Sequence, residues 1–301
     1  MFDEFKNAFS KYNNGLPQLI IINIVVFLFL AIFYVIIGEI FHMPDVFTFV
    51  HDQFSIPPKF LDFVQRPWTI ITYAFAHSLS DFWHIIMNML MLFWFGKIFV
   101  EYLGSDKLIA LYVLGALAGG VAYLVMFNSV PYFINRSDFP GMVGASAAVY
   151  AITVATATLL PDYTLFLLFF GPVKIKYIAA ISIVISFVGT VGSNAGGNIA
   201  HLGGALIGFV YIKQLQAGSN WGTWITITID WFKNIFKAKP AVKVTYRSQE
   251  NTSSSRPSRP SKGSNVSQEE LDAILDKISD GGYESLSKDE KEKLFNASKK
   301  K

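Results

Sequence analysis

The chain contains no cysteine. That excludes disulfides, thiolate metal ligands and a cysteine nucleophile. Charge is scarce as well: Asp, Glu, Lys and Arg make up 16% of the residues, against about 25% in soluble domains. With 52% hydrophobic residues, this excludes an ordinary soluble domain and points to a membrane. The formal net charge of +3 is small, so nucleic acid is not an expected partner and the placement of charge matters more than its amount. No clustered ligand set suggests a metal, no cofactor is expected, and no repeat of the solenoid kind is present.

What the chain has instead is long apolar runs. After a polar, amphipathic segment at 1–15, residues 16–37 form a run long enough to cross a bilayer, which takes about 20 residues. A cleaved signal peptide would have a core of only about 7–15 residues and a small-residue cleavage site, so this run reads as a retained anchor. Residues 41–68, rich in Phe, Pro and Asp, read as a long loop lying in the membrane interface. Further runs at 82–103, 107–127, 141–160, 174–192 and 198–215 bring the expected spans to six. The run Leu165–Phe170, closed by Gly171-Pro172, is too short to cross and reads as part of a connecting loop. With the N-terminus in the cytoplasm, external loops hold only Lys59, Arg66 and Arg136, while Lys6, Lys11, Lys97, Lys107, Lys174, Lys176 and the whole tail lie inside. That asymmetry predicts a multi-pass protein with both termini cytoplasmic.

Beyond a transmembrane core at 16–215, residues 216–247 comprise a Trp-rich interfacial helix around 221–237 and a connector. A Ser-, Pro- and Arg-rich flexible linker follows at 248–266. The end, 267–301, reads as a small cytoplasmic helical hairpin. Capping boxes Ser267-x-x-Glu270 and Ser287-x-x-Glu290 start its helices, and Gly281-Gly282 stops the first. Two helices this short are marginal alone, so the hairpin is expected to pack weakly on itself or on a cytoplasmic partner.

The chemistry sits in three of the spans. Spans two, four and six all run from outside to inside, and each carries one reactive side chain near its outer end: His84, Ser146 and His201. At 1.5 Å per residue, all three lie roughly 5–10 Å below the outer surface. Asn88 is one turn below His84 on the same face, and Tyr150 one turn below Ser146. Gly144 precedes the serine, and His201, Gly204 and Gly208 put an imidazole above a smooth glycine face that admits a neighbouring helix. Singly, each has an ordinary explanation: small residues around a serine pack helices, and a lone intramembrane histidine serves hydrogen bonding or proton relay as readily as catalysis. Their conjunction at one depth favours a nucleophilic hydroxyl, Ser146, with His201 as its base. The oxyanion would be met by His84, Asn88 and the N–H of Ser146, and Tyr150 would hold the imidazole by stacking. No acidic residue is placed to complete a triad, since Asp81 and Asp162 lie at span ends.

These residues resemble the rhomboid family of intramembrane serine proteases. The resemblance covers about 16–215 and rests on His84-x-x-x-Asn88, Gly144-x-Ser146 and Ala200-His201-x-x-Gly204-x-x-x-Gly208, in that order across the spans. It implies an all-α six-helix membrane bundle of bacterial type, in a bacterial cell membrane. It also implies Ser146 as nucleophile, His201 as base, His84 and Asn88 as oxyanion groups, span five as a lateral gate, and single-span membrane proteins as substrates. Residues 41–68 match the family's first external loop, and His77 matches a second histidine with no role assigned. Two positions depart from the pattern. The family's Gly-x-Ser-Gly ends here in Ala147, and the Trp-Arg pair of the first loop reads Trp68-Thr69, with Arg66 two residues before the tryptophan.

Two other functions remain alternatives to a protease. An inactive rhomboid-like binder of transmembrane segments usually lacks the serine or the histidine, and both are present. A transporter or proton channel would distribute charge through the membrane depth, and the inner halves of spans two, four and six carry almost none.

Overall fold

The computed structural model describes residues 14–134, 141–167, 171–235 and 268–298. The N-terminal segment through residue 13, Arg136, the connector and linker at 236–266 and the cap Ser267 lie outside the described residues. The chain forms two compact units, Met1–Lys239 and Pro240–Lys301.

The first unit is an all-α membrane bundle. Its apolar runs are helical because, away from water, a backbone must satisfy its own hydrogen bonds. The helices are α1 (Gly15–Phe33), α2 (Phe82–Leu103), α3 (Ser105–Ser129), α4 (Ser146–Leu159), α5 (Ile175–Val188) and α6 (Ala195–Gln216). They occupy the six expected positions. Among the described residues four are long and apolar enough to cross a membrane: Gly15–Ile40, Phe82–Leu103, Ser105–Ser129 and Ala195–Gln216. Ser146–Leu159 and Ile175–Val191 are apolar but shorter. The first run is longer than expected because α1 continues through π-helical turns over Tyr34–Ile40.

Span four is shorter than the sequence suggests. Its apolar run starts at 141, but the helix starts at Ser146. Residues before it are extended: Ile56 and Met142 exchange backbone hydrogen bonds of 3.0 and 2.9 Å, and the Gly144 N–H donates to the Tyr73 carbonyl at 2.9 Å. At 1.5 Å per residue the remaining helix is about 21 Å long, less than the roughly 30 Å hydrocarbon layer. The helix alone is therefore shorter than that layer, and Ser146 is its first residue.

The connection expected around 165–170 contains paired strands. Thr164–Leu167 pairs antiparallel with Gly171–Lys174 in a two-stranded hairpin. Beside it Lys174 and Lys176 both reach Asp162, at 2.9 and 2.8 Å. Lys176 first and Lys174 second hold that carboxyl down at about 2. The first loop is also more ordered than expected, with short helices at Pro44–His51, Phe60–Gln65 and Thr69–Thr72. Phe49 and Leu61 are 69% and 77% exposed there, so the loop carries apolar surface. Arg66 anchors it by bonding the backbone carbonyl and the carboxylate of Asp52, at 3.1 and 2.9 Å.

The core is where α3, α4 and α6 converge, and small residues bring it together. A side chain at Gly115 of α3 would meet the Cα of Ala148 at 2.8 Å. One at Gly204 or Gly208 of α6 would run into the backbone oxygens of Ala147 and Ala151. Backbones this close gain dispersion contacts that larger side chains would prevent. A buried polar tie holds α1 to this core: Asn23 donates to Tyr112 Oη at 3.0 Å, and Tyr112 donates to the Ala74 carbonyl at 2.6 Å. After α6, helix α7 (Thr223–Ile235) buries Ile225 and leaves Trp224, Ile227, Trp231 and Phe232 exposed, an interfacial pattern.

The second unit pairs α8 (Gln268–Gly281) with α9 (Lys288–Ser298). Lys277–Glu290 and Lys293–Glu270 ion pairs of 3.0 and 3.1 Å link them, and Ile274 and Leu286 are buried. Gly282, at φ +75°, ends α8 as its glycine pair suggests. The second capping box is reciprocal: Ser287 N–H donates to Glu290 at 2.7 Å, and Glu290 N–H donates to Ser287 Oγ at 3.3 Å. The Ser287 N–H first, then Lys277, hold the Glu290 carboxyl down at about 2 from 4.5. The folded value lies below the unfolded one, so the stabilisation is full above about 4.5 and is lost as pH falls through about 2. Backbone NMR shifts of α9 should move toward coil across that window, and Glu290→Gln should flatten the dependence. Unchanged shifts across it would remove the role given to Glu290.

Candidate active site

Residues of α2, α4, α5 and α6 line a cavity of about 390 Å³. His84, Asn88, Ser146, Tyr150 and His201 all line it. The depth argument from sequence thus corresponds to one shared space. A larger cavity of about 980 Å³ shares Asp81, His84 and Asn194 with it, and has Ser78, Ser80 and Ser193 in a wall that also carries Phe27, Phe47 and Phe127.

Ser146 is the first residue of α4, so its N–H points out of the helix start with no intrahelical acceptor and at the positive end of the helix dipole. Gly144 opens the space before it. Its φ of +139° suits glycine, and a Cβ there would sit 3.0 Å from His84 Nε2 and 3.5 Å from Ser146 Oγ. A side chain at 144 would therefore crowd the His84 ring, and glycine keeps the gap between that ring and the Ser146 hydroxyl clear. Asn88 uses its amide to donate to the His84 carbonyl at 2.7 Å, which ties it to its own helix. His77 is fully buried, its ring set edge-on to His84 with centroids 5.3 Å apart.

His201 is held on two sides. Tyr150 stacks on it with centroids 4.2 Å apart and planes 9° from parallel. Its Nδ1 lies 3.1 Å from Ser186 Oγ on α5. Among the described residues His201 and Ser146 are not hydrogen-bonded to each other, though both face the cavity. Catalytic hydrogen bonds often tighten only when substrate is bound. Gly204 and Gly208 take their expected place, seating α6 against the backbone of α4. The extra methyl of Ala147 is accommodated by Gly119 of α3, where any Cβ would collide with it.

Ser186 is the residue that sequence reasoning missed. It is one of two serines, with Ser182, in an apolar run, with no motif around it. The only available signal was a polar side chain placed inside a span, which usually faces the bundle interior.

A family model described as the rhomboid domain matches residues 64–216. A second, described as a family of unknown function, matches 264–300. The chain is 36% identical over 164 residues to RHOMBOID-like protein 12, mitochondrial, of Arabidopsis thaliana, covering 51% of this chain and 48% of that protein. It is 28% identical over 181 residues to Rhomboid protein 1, mitochondrial, of Saccharomyces cerevisiae, covering 53% and 49%. Rhomboid-related protein 4 of Mus musculus is 28% identical over 151 residues, covering 50% and 46%. The chain thus spans about half the length of these curated relatives. The rhomboid match starts within the first loop, ends with α6 and takes in the whole wall of the smaller cavity. The chain is a multi-pass integral membrane protein of the rhomboid family.

Proposed function

We propose that this protein is an intramembrane serine endopeptidase that cuts single-span membrane proteins near the outer ends of their helices. The observation that supports the reading is that Ser146, at a helix start, lines one cavity with an imidazole clamped by stacking. Six segments thread the bilayer in this reading, with both termini on the Lys- and Arg-rich side.

The steps follow from the chemistry of the groups. His201 Nε2 takes the Ser146 hydroxyl proton as Oγ bonds to the substrate carbonyl carbon. The carbonyl oxygen becomes an oxyanion that His84, Asn88 and the Ser146 N–H would meet, three residues that line the same cavity. The C–N bond then breaks, and the amine leaves with the proton carried by His201. Water entering the cavity attacks the acyl-enzyme. His201 accepts its proton and returns one to Ser146 Oγ as the acid departs. A helical peptide bond is shielded by its own backbone, so substrates that unwind easily at Gly or β-branched residues should be preferred.

The test is cleavage of a single-span reporter by the purified protein in liposomes, with the cut mapped by mass spectrometry. Cleavage near the reporter's outer end supports the reading. An uncleaved reporter that still crosslinks to the protein would replace it with the inactive binder. Asn88→Ala should lower kcat by about 10²-fold or somewhat more, the usual cost of one oxyanion donor. An unchanged rate in that variant would remove Asn88 from the oxyanion site.

A further inference from the structure

We propose that Ser186 is the positioning residue for His201, fixing the tautomer that leaves Nε2 free as base, and that it does so only while α5 is docked. The inference rests on the reading of Ser146 and His201 as the reacting pair.

The argument is the polarity of a hydrogen-bond chain. Its far end is the backbone carbonyl of Ser182, which can only accept, and the Tyr150 hydroxyl donates to it at 3.4 Å. The Ser186 hydroxyl in turn donates to Tyr150 Oη at 3.0 Å. A hydroxyl has one proton. With that proton committed, the Ser186 oxygen can only accept from its other neighbour, Nδ1 of His201, at 3.1 Å. A neutral imidazole has one N–H, so the proton is on Nδ1 and the lone pair on Nε2. That is the tautomer a base facing Ser146 requires. The carboxylate of a triad does the same work with a charge. Ser186 is fully buried, and a neutral acceptor avoids the cost of burying that charge.

The helix that supplies this oxygen is lightly held. Only Ile175, Ala179 and Ser186 of α5 are buried. Ile181, Val184, Ile185, Phe187 and Val188 face outward, 59–69% exposed. At that end the polar ties are Ser186, the Asn198 amide, which donates to the Gly189 carbonyl at 2.9 Å, and the Tyr132 hydroxyl, which donates to the Val191 carbonyl at 3.0 Å. Displacing α5 to admit a substrate helix therefore removes the acceptor from Nδ1, and proton transfer waits until α5 returns.

The test reads the tautomer directly, by ¹⁵N NMR of protein labelled in its five histidines, with His201 assigned by comparison with His201→Gln. In wild type His201 is expected protonated at Nδ1. Ser186→Ala should give a mixture of tautomers, and Ser186→Thr should restore the wild-type spectrum. In the cleavage assay Ser186→Ala should lower kcat about tenfold with KM changed by less than about twofold, and Ser186→Thr should recover most of the rate. A proton on Nε2 in wild type, or a spectrum unchanged by Ser186→Ala, overturns the proposal. The spectra need no turnover and can be recorded on Ser146→Ala. The expected spectra beside an uncleaved reporter would support the tautomer assignment and overturn the protease reading alone.

Discussion

Ser146→Ala is expected to slow cleavage of a single-span reporter by at least about 10⁴-fold while leaving the fold unchanged. The size follows from what is lost. Without Oγ no covalent intermediate forms, and the remaining groups act only on whatever water reaches the carbonyl. The residual rate would come from the oxyanion site and binding. The fold should survive because Ser146 caps nothing: α4 starts with Ala145 in the N-cap position and no side-chain cap bond. Alanine is also the best helix former. The side chain is only partly buried and faces a cavity, so its removal leaves no new void in the core. Cleavage at the wild-type rate would end the assignment of Ser146 as nucleophile.

The second large effect concerns packing. Gly204→Ala puts a methyl group into the backbone oxygen of Ala147, so α6 and α4 must separate. Overpacking of this kind costs roughly 1–3 kcal/mol. Activity should fall further than stability, because the displaced carbonyl belongs to the residue after Ser146 and His201 rides on the displaced helix. A contrast with Gly119 makes the test specific. A Cβ at Gly119 collides first with the Cβ of Ala147, whereas at Gly204 the obstacle is the carbonyl. Ala147→Gly should therefore partly rescue Gly119→Ala and give no rescue of Gly204→Ala, in thermal unfolding followed in detergent. Equal rescue of both would show that α4 and α6 do not meet as described.

Much of this was legible in the sequence because membrane burial writes itself in composition. Apolar runs marked α1 to α6, and spacing placed His84 above Asn88 and Ser146 above Tyr150 on single faces. The alternating direction of spans put His84, Ser146 and His201 at one depth. What stayed hidden depends on backbone conformation within apolar runs. Residues 141–145 are as apolar as a helix, yet Met142 pairs with Ile56 and Gly144 is held by Tyr73, both distant in sequence. The strands at Thr164–Leu167 and Gly171–Lys174 flank a run too short for its period to decide between loop and hairpin. Ser186 stayed hidden for another reason: its meaning comes from two partners, Tyr150 and His201, on other helices.

Arg66 shows the same limit from the other side. Its displacement from the family's Trp-Arg position predicts altered anchoring of the first loop. The chain restores an anchor through Asp52, whose carboxylate and carbonyl both meet the guanidinium. Two such bonds to one planar group fix orientation as well as distance.

The most direct measurement is covalent labelling by a fluorophosphonate, which a serine attacks through Oγ with loss of fluoride only when a base removes its proton. Wild-type protein in liposomes should carry the adduct on the peptide that contains Ser146, and both Ser146→Ala and His201→Ala should stay unlabelled. A folded wild-type protein that takes no label at Ser146, or a His201→Ala variant labelled as fast as wild type, would show that hydroxyl and imidazole do not work together.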